Sequence, residues 1–270
     1  MMIPRYDVIF RTCDAVFSVH KTERPFGLTK QEVIKVCFLS LYRALEGLDF
    51  RIHILGDRLS EEMLEFFGRF PVEISNGEMG NSESIRQSVL KALEAGEEDW
   101  IYFCEDDYLH TEDAFQCIDE LIRQRHKILA HEPKDRWARW ATRGLAERPL
   151  FIHPPDYPDR YMPKKRKPSL IFMAPSRHWR QVSNTTFTFL TQGKSIRRYE
   201  KHLLECAEGA KDGRLSRRLY AGLVFWKKGL CLSPIPGLAT HMHSHVMSPR
   251  VDWEPVMKRN RDILRDRGLL

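Results

Sequence analysis

Along the first 110 residues the apolar positions switch between two rhythms, short unbroken runs and stripes at every third or fourth place. The runs at 6–12, 50–55 and 72–74 predict strands, because short apolar stretches bounded by turn formers suit a sheet interior. Between them Val33, Ile34, Cys37, Phe38, Leu41, Tyr42 and Leu45 keep helical spacing across 29–45, and Thr29 with Glu32 predicts a capping box. Ser60 opens a shorter amphipathic helix over 60–67, and a third helix over 82–94 follows the Gly/Asn-rich joint from Asn76 to Asn81. The last run, Trp100, Ile101, Tyr102, Phe103 and Cys104, stops abruptly at Glu105, Asp106 and Asp107. This β-α-β-α-β-α-β series predicts an α/β fold with a mostly parallel central sheet flanked by helices.

Ligands of such sheets bind outside the carboxyl ends of the strands. Glu105, Asp106 and Asp107 fall there, as do Arg11, Thr12, Cys13 and Asp14 after the first strand and Gly56-Asp57 after the second. Strand alternation sends Glu105 and Asp107 to one face and Asp106 to the other. Two carboxylates converging on one pocket call for positive charge, and a divalent cation supplies it. The competing reading is a solvated acidic loop opening the next helix, where acids are favoured by the helix dipole.

The second half is less regular. A helix is predicted over 111–128, strands over 169–173 and 185–190, and a helix over 195–205. The proline- and charge-rich region 149–168, with Pro154, Pro155, Pro158 and Pro163, reads as a long excursion, either a mobile active-site loop or a surface connection. Asp212 and Gly213 open a short helix with Leu215 and Leu219 one turn apart; Asp212 caps it or serves as a general base. If extended, the stretch 237–245 puts His241, His243 and His245 on one face. Imidazole joins carboxylates around manganese, iron or zinc, whereas magnesium prefers oxygen; an all-histidine zinc site, a phosphate contact and simple loop cover are the other readings.

With 42% hydrophobic and 30% charged residues in 270, the composition is that of a globular protein, and no apolar run approaches the ~20 residues of a membrane span. The start lacks a signal peptide's apolar segment, which predicts a cytoplasmic protein. The six cysteines form no C-x-x-C pair, so reduced core thiols are expected. A net charge of +6, concentrated in Lys164, Lys165, Arg166 and Lys167 and over 258–267, suits nucleotide phosphates, an anionic acceptor or the anionic inner face of a membrane. Nucleic acid is disfavoured, since no aromatic-basic interleaving accompanies the charge. Trp137, Trp140, Trp179 and Trp226 are either core residues or platforms for sugar faces.

In this order, from about 6 to 249, the motifs resemble those of GT-A fold nucleotide-sugar glycosyltransferases (family 2-like). The resemblance implies a Rossmann-like catalytic domain over 1–250, with a nucleotide-binding half (1–110) and an acceptor-side half (111–250), and a C-terminal basic helix over 251–270. Glu105-Asp106-Asp107 resembles the family's D-x-D-type motif, which grips the donor's diphosphate through manganese or magnesium. The ending 232–241 resembles the segment that adds a histidine ligand. The implied metal ligands are therefore Glu105, Asp107 and His241, with His243 in reserve. Thr12, Asp14, Asp57, Asn81 and Arg86, with Glu105 and Asp106, are implied to bind the nucleotide sugar. Asp212 is implied as the base that deprotonates a glycan or other acceptor, inverting the anomeric carbon, with Lys164, Lys165 and Arg166 closing over the leaving group. Polysaccharide synthesis, with peripheral contact to the inner membrane face, completes the expectation. The chain departs from the pattern at Glu105, where Asp is usual, and at Lys211, where an acid usually precedes the base. A metal-dependent phosphoesterase or other hydrolase, and a non-catalytic nucleotide-sugar or glycan-binding module, are the alternatives.

Overall fold

In the computed structural model, which describes residues 4–14, 24–129, 134–162, 169–209, 212–220 and 228–270, the apolar runs become the buried strands of one sheet. The basic run of Lys164, Lys165, Arg166 and Lys167 lies outside the described residues, as do Lys211, Trp226 and the side chain of Trp137. The first half follows β1 (Arg5–Thr12), α1 (Lys30–Leu45), β2 (Asp49–Asp57), α2 (Glu61–Gly68), β3 (Glu73–Gly77), α3 (Gly80–Leu93) and β4 (Trp100–Glu105). Thr29 and Glu32 make the reciprocal capping box, and Ser60 accepts from Met63 N at the start of α2.

Beyond β4 come β5 (Tyr108–His110), α4 (Ala114–Arg123), α5 (Arg125–Leu129), α6 (Arg136–Thr142), β6 (Leu150–Ile152), β7 (Ile171–Phe172), β8 (His178–Gln181) and β9 (Phe189–Gln192). Then follow α7 (Gly193–Ala207), α8 (Asp212–Leu219), β10 (Leu230–Ile235), β11 (Ala239–His241) and α9 (Trp253–Asp266). The described strands form a nine-stranded sheet in the order β3-β2-β1-β4-β9-β6-β10-β8-β7, and a two-stranded sheet of β5 and β11. The pairings make β9 and β8 antiparallel to their neighbours, so the other strands of the large sheet run one way and it is mostly parallel, as expected.

Strand alternation divides the core. Tyr6, Val8 and Phe10 of β1, with Trp100, Tyr102 and Cys104 of β4, pack on the face covered by α1, α2, α4 and α9. Ile9, Ile101 and Phe103 point the other way, against α3, α7 and α8. Both faces are therefore dry, which is why these strands read as unbroken apolar runs. Helix α9 joins the first cluster through Trp253, Met257 and Leu264, and Arg261 pairs with Glu32 of α1 at 3.1 Å.

Three expectations shift. The predicted helix over 111–128 is two helices, α4 and α5, and the strand expected over 185–190 begins only at Phe189. The region 149–168 is not wholly an excursion: Leu150–Ile152 is an interior strand between β9 and β10, buried at every position. Flanking prolines disguised it, since they stop the run after three residues. Trp179 is fully buried in the core and offers no face to a sugar, whereas Trp140 is exposed. Among the described residues no helix is long and apolar enough to cross a membrane. The six cysteines are free thiols, five of them buried.

Candidate active site

The chain leaves β1 toward β2 on one side, and β4 docks on the other, so the carboxyl ends of β1 and β4 flank a topological switch point. The parallel register puts Arg11 opposite Glu105. Alternation then sorts the side chains. Arg11 follows Ile9 to the α3 face, where Nη2 meets Glu105 at 2.5 Å and Nη1 donates to Asn81 Oδ1 (2.8 Å) and Ser84 Oγ (3.3 Å). Thr12 turns to the α1 face, where its hydroxyl donates to Asp106 Oδ2 at 3.0 Å.

Asp106 is the most heavily partnered of the three acids. Besides Thr12, Cys13 N donates to it at 3.1 Å, and Lys30 Nζ reaches both carboxylate oxygens at 3.0 Å from the first turn of α1. Burial opposes the charge on Lys30, but Asp106 outweighs it and holds the ammonium above its ordinary range. Glu105 is engaged twice, by Arg11 and by Thr188, whose hydroxyl donates to Oε2 at 3.1 Å and accepts from Glu105 N at 3.3 Å. Neither Lys30 nor Thr188 stood out in the sequence, and Arg11 was placed at a ligand-facing strand end without a role. A lysine in a first helical turn reads as solvated, and only the seat of α1 over the end of β4 brings it to Asp106.

Asp107 has a different environment. The chain turns at Asp106 and Asp107, so strand alternation ends there. Asp107 meets the small sheet, and the charge of Glu105 also reaches the histidine it meets there. β11 pairs antiparallel with β5, His241 opposite Tyr108, and Met242 N donates to Asp107 O at 2.7 Å. His241 Nε2 thereby lies 2.9 Å from Asp107 Oδ2, and its ring stacks on Tyr108 at 5.0 Å between centroids and 15° between planes. Asp107 remains 34% exposed at its side chain, His241 25%. Removal from water works against both charges, yet each group favours the other: Asp107 is drawn below its ordinary range and His241 raised above its own. His243 is not in that pair; its ring centroid is 5.7 Å from that of His241.

No group of three or more His, Cys, Asp or Glu side chains around one metal position occurs among the described residues. Of the four candidate ligands, Asp107 and His241 are the pair in contact, while Glu105 is committed to Arg11. A carboxylate and an imidazole facing each other, with part of each still open to solvent, fit a metal that completes its shell with substrate phosphates and water.

Asp212 begins α8 on the α3 face, and Cys206 of α7 donates to its Oδ1 at 3.9 Å. Burial and then the charge of Glu105 push its carboxyl up to about 6, with Arg11 opposing them. The later acid is thus within electrostatic reach of the Arg11–Glu105 pair.

Two of the remaining nucleotide candidates, Asp14 and Asp57, brace loops. Asp14 accepts from Ser60 N (3.1 Å), Ser60 Oγ (2.5 Å) and Gln31 Nε2 (3.1 Å), and these bonds lower its carboxyl against the cost of burial. Asp57 is buried and accepts from Met79 N at 2.8 Å and Gly80 N at 3.0 Å, fixing the start of α3. Arg86 is half-exposed and pairs with Glu83 at 3.0 Å.

No protein-family model matches the chain, and no curated protein matches it in sequence. Among solved structures it is similar to S. aureus TarS, at 11% identity and a TM-score of 0.47, over 85% of this chain and 35% of that one. It is also similar to the galactosyltransferase LgtC in complex with donor and acceptor sugar analogs, at 11% identity and 0.40, over 78% of this chain and 69% of that one. A third is a nucleotidyl transferase from Methanothermobacter, at 14% identity and 0.42, over 97% and 98%. The chain spans about a third of the TarS chain.

Proposed function

We propose that the protein is a glycosyltransferase that moves a sugar from a nucleotide-diphosphate donor to an acceptor hydroxyl. The observation that carries this reading is the 2.9 Å contact of His241 with Asp107 at the β1/β4 switch point, with Asp212 in electrostatic reach on the same edge. The nucleotide would lie over the ends of β1, β2 and β3, among Thr12, Asn81 and Arg86, against loops braced by Asp14 and Asp57. Asp107 and His241 would hold a divalent ion, manganese suiting their mixed oxygen and nitrogen donors, and it supplies positive charge to the departing diphosphate when bound.

The chain's own residues do the rest. Lys30 and Arg11 neutralise Asp106 and Glu105, so an anionic donor does not meet three bare carboxylates. Asp212, raised to about 6, is ionised at neutral pH yet basic enough to accept a hydroxyl proton. Attack from its side, opposite the diphosphate, inverts the anomeric carbon.

The test is turnover of a panel of nucleotide sugars, with and without chelator, by wild type, Asp107→Ala and Asp212→Asn. Chelator-sensitive, acceptor-dependent transfer that both substitutions abolish is expected. Full activity in both variants would sink the reading, and turnover indifferent to any acceptor would make the protein a hydrolase.

A further inference from the structure

On the acceptor side of the sheet, cations outnumber acids at one buried point. After β6 the chain runs beside the segment that leads from β10 into β11. His153 N donates to Leu232 O (2.8 Å), Leu238 N to Pro154 O (3.0 Å), and Pro155 bridges Ala239. Asp156 N then donates to Ser248 Oγ at 3.1 Å, and Ser248 Oγ donates to Ala239 O at 2.7 Å. These bonds fix Asp156 next to the strand that carries His241.

The Asp156 carboxylate is fully buried, and three arginines act on it: Arg180 at 3.4 Å, Arg160 at 3.9 Å, and the exposed Arg250 through its charge. Tyr161 also donates to it. Even with the exposed Asp159 counted, which acts on Arg160, the arginines are in excess. Nor is Arg160 saturated. Its side chain is 9% exposed, and Nη1 donates to Pro155 O and Ser233 Oγ, but Nη2 is buried without an acceptor among the described residues. The Arg180 guanidinium carbon sits over the Tyr161 ring, 4.3 Å from its centroid. Tyr161 and its neighbour Met162 are exposed beside it. Planar guanidinium groups held at loose distances from one carboxylate suit a second, bidentate anion.

The cluster adjoins the candidate active site. Tyr157, one residue past Asp156, shares a 2.6 Å hydroxyl contact with Tyr108, the ring on which His241 stacks.

We propose that Arg160, Arg180 and Arg250 form an anion site that takes a phosphate or carboxylate carried by the acceptor. Only the word "acceptor" rests on the glycosyltransferase reading; the anion site stands on the arginine excess and the unsatisfied Arg160.

The experiment is a thermal-shift titration at constant ionic strength, since a ligand of the native state raises its stability. The probes are inorganic phosphate, glucose 6-phosphate, glucuronate and neutral glucose, against wild type, Arg180→Gln, Arg180→Lys and Arg250→Gln. Saturable binding of an anionic probe to wild type is expected, about tenfold weaker in both Gln variants, intermediate in Arg180→Lys, and absent for glucose. The two sugar acids show whether phosphate or carboxylate is preferred. No anion binding to wild type, or equal affinity in the Gln variants, would overturn the proposal. Arg250 is exposed, so its variant tests the site without disturbing the buried groups around Asp156. Nucleotide-sugar binding by wild type is measured alongside. Its absence would count against the transferase reading and leave the anion site standing.

Discussion

At the ends of β1 and β4 each buried or half-buried acid has a cation of its own, whereas beyond β6 three arginines gather around Asp156. The first arrangement is closed: Asp106 and Lys30 satisfy one another, as do Glu105 and Arg11, and Asp107, the most exposed of the three acids, has one titratable partner. The second is open, because positive charge is left over. Fully paired charge positions a backbone, and surplus charge attracts a ligand. The difference separates residues that build the site from residues that meet a substrate.

The largest effects should come from removing the acids that hold each region together. Asp106→Ala leaves Lys30 unpaired, and Asp156→Asn leaves three arginines without their anion. Each should cost roughly 3–5 kcal/mol in urea unfolding, as loss of one partner of a buried pair does. Asp107→Ala should cost under about 1 kcal/mol of stability, given its exposure, yet reduce transfer about 10²–10³-fold. If Asp107→Ala unfolds the protein as readily as Asp106→Ala, the distinction between builder and binder collapses.

Asp212 gives a smaller, pH-dependent effect. Its folded value of about 6 lies above the ordinary 3.8, so the folded state binds the proton more tightly. Its contribution to stability is therefore greatest below about pH 4 and is lost as pH rises through about 6, while activity rises over the same window as the base ionises. Asp212→Asn should abolish the activity and, at pH 8, gain about 1 kcal/mol of stability, allowing for partial exposure. A kcat/KM profile flat between pH 5 and 7 would remove Asp212 from the chemistry. The smallest effect is expected for Arg180→Gln, within about 1 kcal/mol, because two arginines remain with Asp156. Arg11→Gln breaks a one-to-one pair and should cost more; equal costs would erase the contrast between the two regions.

The sequence was most readable where both faces of the sheet are covered. The runs that became β1 and β4 and the stripe that became α1 had the right length and period, β2 ran three residues longer than its apolar run, and Thr29 with Glu32 marked the helix start. β3 shifted by one residue at its start and three at its end, being an exposed edge strand with little apolar signal. β6, β5 and β11 span three residues each, too short for any period to register, and β8 is His-Trp-Arg-Gln, with only Trp179 buried outright. The candidate site follows the same division. Asp107, His241 and Asp212 stood out by order and residue type. Lys30 and Arg11 acquire their meaning from the seat of α1 and the β1–β4 register, and the Arg160–Arg180 cluster from a strand hidden among prolines.

The two-stranded sheet of β5 and β11 has a consequence for the order in which the molecule becomes competent. It is the bridge that carries His241 to Asp107 across a separation of 134 residues. A nascent chain that has already folded β1 through β4 therefore displays Asp107 with no imidazole beside it, and acquires the pair only after β11 has been synthesised and zipped onto β5. The half-made protein can bury its first apolar runs while the Asp107–His241 pair is still incomplete, so any ligand that needs both side chains is excluded until β11 has arrived.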